Sequence, residues 1–450
     1  MSGMRRTPLW RSLTSATAGL VVLLAARPLD DPDLWWHVRA GEQTLTEHAL
    51  PHSETWSWTS QGRPWVPTSW ASDVALGLAH RVAGWDGVRV LTVLVAGLFC
   101  WLLARCVSAG RSPEAAAAGF ALVAVVCAGY LRERPQAVSL VLCTWLAVRC
   151  HAQLEGRTVG VPGVVAMTWL WANLHGMWVL APVALLASGV LGHRPRRAVA
   201  LTLAALVSAA VTPVGPHLLG QPFVIADRAQ AIAEWAPVRP LSWQAGELVL
   251  MLTVLVAGWW KGLPGNALVF GAATLLVAVT AARFVAPAAV LLAPLLADAL
   301  HRLLPDTGQT APWLLPRLAL AAGVGAAMVM LLAGPSISGS VPVALTNRLS
   351  QHPGARVLVD YDVGGVVVGL APDVRAAVDG RTEVYDPAFL QRYLSMTEGR
   401  GAWRDTLAAL TPTAALVEAR GPVAGWLLDH GWTEDARSGR WALLFPKASS

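Results

Sequence analysis

Asp30-Asp31-Pro32-Asp33-Leu34-Trp35-Trp36-His37 crowds three carboxylates, two indoles and an imidazole into eight residues. The run follows the first apolar segment, where a chain leaving a bilayer would meet water. An Asp at the centre of a membrane helix costs on the order of 2.5–3.5 kcal/mol. Residues beside such a segment are therefore either interface anchors or a working site. A carboxylate there can act as a general base on an acceptor hydroxyl. Asp31 and Asp33 could also hold a divalent cation through hard oxygen ligands, and the sequence does not separate these roles. The bland alternative is a solvated acidic collar. Against it stand Pro32, which stiffens the connection, and Trp35-Trp36, which would hold the carboxylates at headgroup depth.

Arg132, Arg134 and Arg283 form a second set. Guanidinium groups grip phosphate through paired hydrogen bonds, whereas snorkelling at a helix end is their structural alternative. Arg283 interrupts the apolar run Ala281-Ala282-Arg283-Phe284 and needs an internal partner. His175 and Glu234 are ambiguous alone and count only through sharing a face with Asp31. Asp379-Gly380-Arg381 reads as a tight turn. Cys100, Cys106, Cys127, Cys143 and Cys150 lie in or beside apolar segments with no Cys/His metal spacing. Disulfide and thiol chemistry are set aside on that ground.

The elements that must position these residues follow from composition. Of 450 residues, 55% are hydrophobic and 14% charged, with a mean hydropathy of +0.50. Soluble domains carry about 25% charged residues, so this is an integral membrane protein. The net charge of +6 reflects basic connections between apolar segments, which report orientation rather than nucleic-acid binding. Arg5, Arg6 and Arg11 precede an apolar run from Ser12 to Ala26, which has the layout of a signal peptide but is expected to be an uncleaved signal-anchor, because many apolar segments follow. Further apolar segments lie near 87–105, 113–130, 136–150, 160–173, 176–192, 198–213, 245–260, 264–281, 284–300 and 315–334. The expected fold is mainly α and polytopic, with about eleven transmembrane helices.

With the N-terminus cytoplasmic, the connections holding Arg105 and Arg111, Arg149 and Arg157, Arg194 to Arg197, Lys261 and Arg302 are cytoplasmic too. The opposite face then gathers the first loop, the Arg132–Pro135 turn, the 173–176 turn, the 213–244 loop and Arg283. In the first loop, Leu34, Val38, Gly41 and Leu45 recur at helical spacing, as do Trp70, Val74, Leu78 and Val82. Both stretches read as amphipathic helices along the membrane surface. The domain plan is a transmembrane region over 1–334, with 30–86 as its first extracytoplasmic loop, and a small extracytoplasmic α/β domain over 335–450. In that domain Arg356–Asp360, Val366–Leu370 and Arg375–Val378 are β-rich, Ala414–Val417 and Trp441–Phe445 are apolar runs, and helices are expected near Pro387–Met396, Trp403–Leu410 and Pro422–His430.

Taken together, these residues resemble the GT-C class of polytopic glycosyltransferases, which includes protein O-mannosyltransferases and aminoarabinose transferases. The resemblance rests on a first helix ending in Asp31-Pro32-Asp33, followed by a loop of two surface helices. Asp33-Leu34-Trp35-Trp36-His37, Gly62-Arg63-Pro64-Trp65 with Trp70, and Trp171-Ala172-Asn173-Leu174-His175-Gly176 resemble one bacterial branch of the class more closely. Asp360-Tyr361-Asp362-Val363-Gly364-Gly365 and Asp379-Gly380-Arg381 add to that likeness. The resemblance implies sugar donors carried on polyprenyl phosphate and transfer on the outer face. It implies Asp31 as the base, with Asp33 second. Read from the residues themselves, His37, Arg132, Arg134, His175, Glu234 and Arg283 are the expected substrate-binding residues. One departure matters. Relatives often carry an acidic residue just before the Trp at position 70, where this chain has Ser69. A second loop carboxylate must then come from Asp73 or Glu54, or be absent.

The expected function is that of a membrane glycosyltransferase moving sugar from a polyprenyl-phosphate-linked donor to an extracytoplasmic acceptor: an envelope glycan, a lipid or a protein. Membrane lipid is an expected partner and nucleic acid is not. No cofactor is expected beyond the divalent cation that Asp31 and Asp33 could hold. The alternative is a transporter or envelope-assembly scaffold without chemistry. A transporter places its charged sites near the bilayer midplane, whereas these gather on one face. The topology is testable: a reporter active only outside the cytoplasm, fused to the C-terminus, gives signal, and a silent fusion overturns the shared outer face.

Overall fold

The computed structural model describes residues 9–226, 228, 233–304 and 314–447. Arg5 and Arg6 of the basic start lie outside the described residues, as do 227 and 229–232 of the 213–244 loop. In chain order the helices are α1 (Leu9–Ala25), α2 (Leu34–Glu47), α3 (Trp70–Ser108), α4 (Pro113–Ala128), α5 (Pro135–Leu154), α6 (Val161–Leu174), α7 (Leu180–Leu191) and α8 (Pro195–Ala210). They continue with α9 (Gln221–Ala226), α10 (Trp243–Trp260), α11 (Gly265–Val279), α12 (Val285–Leu303), α13 (Leu314–Ala333), α14 (Val343–Leu349), α15 (Tyr361–Leu370), α16 (Pro387–Thr397), α17 (Trp403–Ala409) and α18 (Pro422–Asp429).

A helix coincides with every apolar segment read from the sequence. Among the described residues four are long and apolar enough to cross a membrane: Trp70–Ser108, Pro135–Leu154, Trp243–Trp260 and Ala282–Leu303. Most of the rest are shorter apolar helices. The protein is therefore a mainly helical, multi-pass membrane protein with a small C-terminal sheet, and helix length does not establish eleven crossings. Within α3 the backbone leaves helical geometry at Ala83 (φ −142°) and Gly84 (φ 59°). That break separates the expected surface helix from the apolar helix that follows.

The described residues fall into two compact units. One runs up to Arg27 and takes in Asp86–Leu219 and Ala233–Gly334; the other joins Pro28–Trp85 to the stretch from Gly220 and to Pro335 onward. In the first unit α12 packs against α4, α5 and α10. Its Ala286, Ala289, Ala293 and Ala297 are fully buried, and small residues let neighbouring backbones approach closely. A polar lock ties one end of that bundle. Asp298 of α12 accepts from Arg111 Nε at 2.7 Å and lies 2.6 Å from His151 Nε2 on α5.

The second unit is built on a five-stranded sheet in the order β2-β1-β3-β5-β4. The strands are β1 (Arg356–Val359), β2 (Arg375–Ala376), β3 (Ala414–Glu418), β4 (Trp432–Ser438) and β5 (Trp441–Pro446). β1 pairs in parallel with β2 and β3, and β5 is antiparallel to β3 and β4. The expected strand at Val366–Leu370 is instead the C-terminal half of α15. Its β-branched residues favour strand locally. Here the run is the helical crossover between the parallel strands β1 and β2, with Val366, Val367 and Val368 buried. β4 escaped the sequence because Thr433-Glu434-Asp435 reads as a polar loop, yet it pairs on one side as an edge strand.

The first loop is an integral part of this unit. Leu29 bridges Ile337. Ser57 pairs in parallel with Ala376, covering the free edge of β2. An exposed strand edge templates wrong pairing, and the loop closes it. α2 packs against α15, so Trp35 is fully buried and Trp36 nearly so. This corrects the expectation that the two indoles anchor the chain at headgroup level, because a ring enclosed by protein touches no lipid. The approach of α2 to α15 depends on glycine: a Cβ at Gly365 would lie 2.2 Å from the Pro32 carbonyl oxygen.

Backbone cannot yield as a flexible side chain can, and overpacking costs about 1–3 kcal/mol. Gly365→Ala should therefore lower the thermal unfolding midpoint of the detergent-solubilised protein. Gly97→Ala, with nothing within 4 Å, should leave it unchanged or slightly raised.

Candidate active site

Asp31 and Asp33 stand at the N-terminus of α2, where the helix dipole favours negative charge. The Asp33 backbone N–H donates to Asp31 Oδ1 at 3.0 Å, so Asp31 fixes the turn that leads into the helix. Asp33 occupies the cap position, yet its side chain makes no cap hydrogen bond. Its Oδ1 instead accepts from Trp36 Nε1 at 3.2 Å. Asp31 is 0% exposed and Asp33 half-buried.

One turn along α2, His37 Nδ1 lies 2.7 Å from Asp73 Oδ1. Ser69 Oγ donates to the same oxygen at 3.1 Å. Ser69 was the departure from the expected pattern, and its hydroxyl sits against a carboxylate supplied one turn later. Asp73 is thus the loop carboxylate that lies beside Ser69 and His37. Glu54 has another engagement.

Glu54 belongs to a charged cluster around Arg381, which is 0% exposed. Arg381 Nη1 pairs with Glu54 Oε2 at 2.5 Å. Its Nε and Nη2 donate to Asp379 Oδ1 and Oδ2 at 3.0 and 2.6 Å, the two-point grip that a planar guanidinium makes best. The guanidinium carbon also lies 4.0 Å from the Trp56 ring and 4.6 Å from the Trp65 ring. Burial works against the Arg381 charge, but Asp379 and Glu54 more than offset it and hold the group above the ordinary arginine range. Arg39 reaches the other side of this cluster, 4.9 Å from the Trp56 ring. Burial first, and then Arg381, bring it down to about 10.

Sequence reading placed Asp379-Gly380-Arg381 as a turn with no further role and did not single out Arg381. The signal that could have found it was the density of Trp in the first loop: a loop holding Trp56, Trp58 and Trp65 needs something to enclose. Glu54, Trp56 and Trp65 close on an arginine more than 300 residues away.

The cations lie in the first unit. Arg134 precedes α5 and its Nη1 donates to Glu234 Oε1 at 2.9 Å. Arg283 lies 4.5 Å from the Trp235 ring, and Trp235 meets Phe284 edge-on. The structure therefore brings Arg134, Glu234 and Arg283 into one patch. Arg132 is half-buried and Glu133 buried beside them. His175 Nδ1 lies 2.8 Å from Ser139 Oγ and receives the Met177 N–H at 3.4 Å. Ser139 in turn accepts from Trp171 Nε1. His175 thus caps the short helix Gly176–Val179.

The possibility of a divalent cation can be tested on these residues. Among the described residues no three His, Cys, Asp or Glu side chains converge as a metal-ligand set. Asp31 Oδ1 and Asp33 Oδ1 each already accept a hydrogen bond from the chain. One accepted hydrogen bond on each carboxylate does not decide the cation role, and no step is routed through a metal.

Solved structures that share this architecture are GT-C glycosyltransferases, and the chain has a GT-C-like fold. In particular it matches ArnT from Cupriavidus metallidurans bound to undecaprenyl phosphate, over 98% of both chains at 14% identity and a TM-score of 0.54. The apo state of that protein matches over 97% of both chains with a TM-score of 0.53. The apo oligosaccharyltransferase of Archaeoglobus fulgidus matches over 92% of this chain and 70% of its own at 12% identity, with a TM-score of 0.51. No protein-family model matches the sequence, and neither does the sequence of any curated protein.

Arg381→Met would leave Glu54 and Asp379 buried without their countercharge, at about 3–5 kcal/mol. The unfolding midpoint of the full chain should fall sharply, followed by near-ultraviolet circular dichroism of its tryptophans. Arg381→Lys keeps the charge but not the fork, and should fall between wild type and Arg381→Met.

Proposed function

We propose that the protein is a membrane glycosyltransferase moving a sugar from a polyprenyl-phosphate-linked donor to an acceptor outside the cytoplasm. The observation that carries this reading is the near end-to-end likeness to a structure bound to undecaprenyl phosphate. The site chemistry supports it. Asp31 and Asp33 are the acceptor-side carboxylates, and their exposure divides the work. Asp33, half-buried, takes the proton from the acceptor hydroxyl. Asp31, enclosed, holds the turn that presents it. His37, oriented by Asp73 through Nδ1, contributes its remaining ring nitrogen to substrate binding. As the sugar–phosphate bond breaks, charge grows on the leaving phosphate, and guanidinium donors answer that charge best. Arg134 and Arg283 take this role, with Arg132 beside them; Glu234 is the carboxylate that Arg134 releases. The N-terminus is cytoplasmic in this reading, and the 335–450 region lies outside together with the first loop. His175 keeps an indirect place, steadying the turn after α6.

The purified full chain should be assayed in liposomes with a panel of undecaprenyl-phosphate sugars. General-base contributions are about 10²–10⁴-fold. Asp31→Asn with Asp33→Asn should therefore remove nearly all transfer while the protein still accumulates in the membrane. Asp30→Asn should be mild, and Arg134→Lys should raise KM for the donor more than it lowers kcat. Undiminished transfer by the double variant sinks the assignment and leaves the transporter or scaffold reading standing.

A further inference from the structure

Arg381 is a strange residue to find at the heart of a small domain. Well-packed apolar side chains usually stabilise an interior at least as well as a buried ion cluster does. What distinguishes an ion cluster is direction, because each partner is fixed in angle as well as distance. The question is what this one aims.

The residue before Arg381 is Gly380, and its α-carbon faces the Asp33 carboxylate. A Cβ built there would stand 1.9 Å from Asp33 Oδ1, 3.0 Å from its Cγ and 2.9 Å from Trp36 Nε1. Gly380 therefore forms one wall of the slot in which the Trp36 N–H meets Asp33 Oδ1. The wall itself is held from several directions. Asp379 N–H donates to the buried Tyr385 hydroxyl at 3.0 Å, Arg381 N–H donates to Asp379 Oδ1 at 2.9 Å, and the Tyr361 hydroxyl donates to the Gly380 carbonyl at 3.4 Å. A second path reaches the same carboxylate: Arg381 lies against Trp65, Trp65 packs edge-on against Trp36 at 6.5 Å, and Trp36 donates to Asp33.

We infer that the Asp379-Gly380-Arg381 turn is a template for the Asp33 carboxylate, with Gly380 and Arg381 as its positioning residues. The part of this inference that concerns rate rests on the proposed transferase activity; the geometric part does not. Gly380 limits where the carboxylate can lie, Trp36 fixes which oxygen is occupied, and Arg381 keeps both in register. An error of about 1 Å in such a group can cost 10²-fold in rate.

The test is a double-substitution cycle in the full-length, detergent-solubilised protein. Gly380→Ala should lower kcat at least tenfold while KM for the polyprenyl-phosphate donor changes less than twofold. A merely structural glycine would instead lower activity only in proportion to the folded protein recovered. Asp33→Ala removes the atoms a Cβ at Gly380 would meet. The drop in unfolding midpoint caused by Gly380→Ala should thus shrink to less than half in an Asp33→Ala background. Arg381→Lys should repeat the kcat-selective loss at reduced size. Midpoint losses that simply add, or a Gly380→Ala protein whose folded fraction turns over normally, overturn the inference. If the wild type transfers no sugar from any donor in the panel, the transferase reading fails, and the midpoint cycle alone then decides whether the turn shapes Asp33.

Discussion

A guanidinium with no solvent contact constrains everything around it. Moving such an ion out of water costs several kcal/mol even after relaxation, and Arg381 keeps its charge only through Glu54, Asp379 and two indole faces. Asp379 is a near neighbour in the chain, whereas Glu54, Trp56 and Trp65 come from the first loop. Without the loop Arg381 keeps only Asp379; without the turn Glu54 loses its countercharge. The first loop is thus half of an interior rather than a connection between helices. The covered edge of β2 and the contact of Pro32 with Gly365 belong to the same arrangement.

From that anchor, order spreads to the groups with chemistry. The α2 N-terminus carries Asp31 and Asp33 in a field favourable to carboxylates, and the Trp36 N–H and Gly380 restrict the second of them. His37 is oriented by Asp73, which in turn is held by Ser69. Fixed dipoles and charges of this kind need little reorganisation during a reaction, which makes a site of modest size effective. The cationic patch of Arg134, Arg283 and Trp235 is assembled separately, by the short segments Ala233–Trp235 and Ala282–Phe284. Its guanidinium groups are engaged by a carboxylate and by an indole.

Much of this was legible in the chain. The apolar segments fell on helices because hydrophobic runs of that length leave few alternatives, and the clustering of Asp31 and Asp33 marked the start of α2. Val366–Leu370 misled because three consecutive valines say nothing about a strand–helix–strand crossover. Trp35 and Trp36 misled because an indole suits a headgroup layer and a protein interior equally well. Ser69 looked like a loss since only the next turn of helix reveals Asp73 beside it. Arg381 was seen only as part of a turn motif, because its partners Glu54, Trp56 and Trp65 are connected to it by no local pattern.

That distance shapes how the protein is made. Trp65 meets Glu383 across 318 residues, so the ribosome completes nearly all of the apolar helices before the partners of the first loop exist. Through that interval Glu54 and the exposed indoles wait unpaired, in the state most open to proteases and to misassociation. Membrane insertion of the intervening helices shortens the search by bringing the two ends of a long tether back together, against a closure cost that grows only as the logarithm of length. The final hundred or so residues therefore complete the packing of the first loop. A chain cut short among them could insert fully and still present an unfinished first loop.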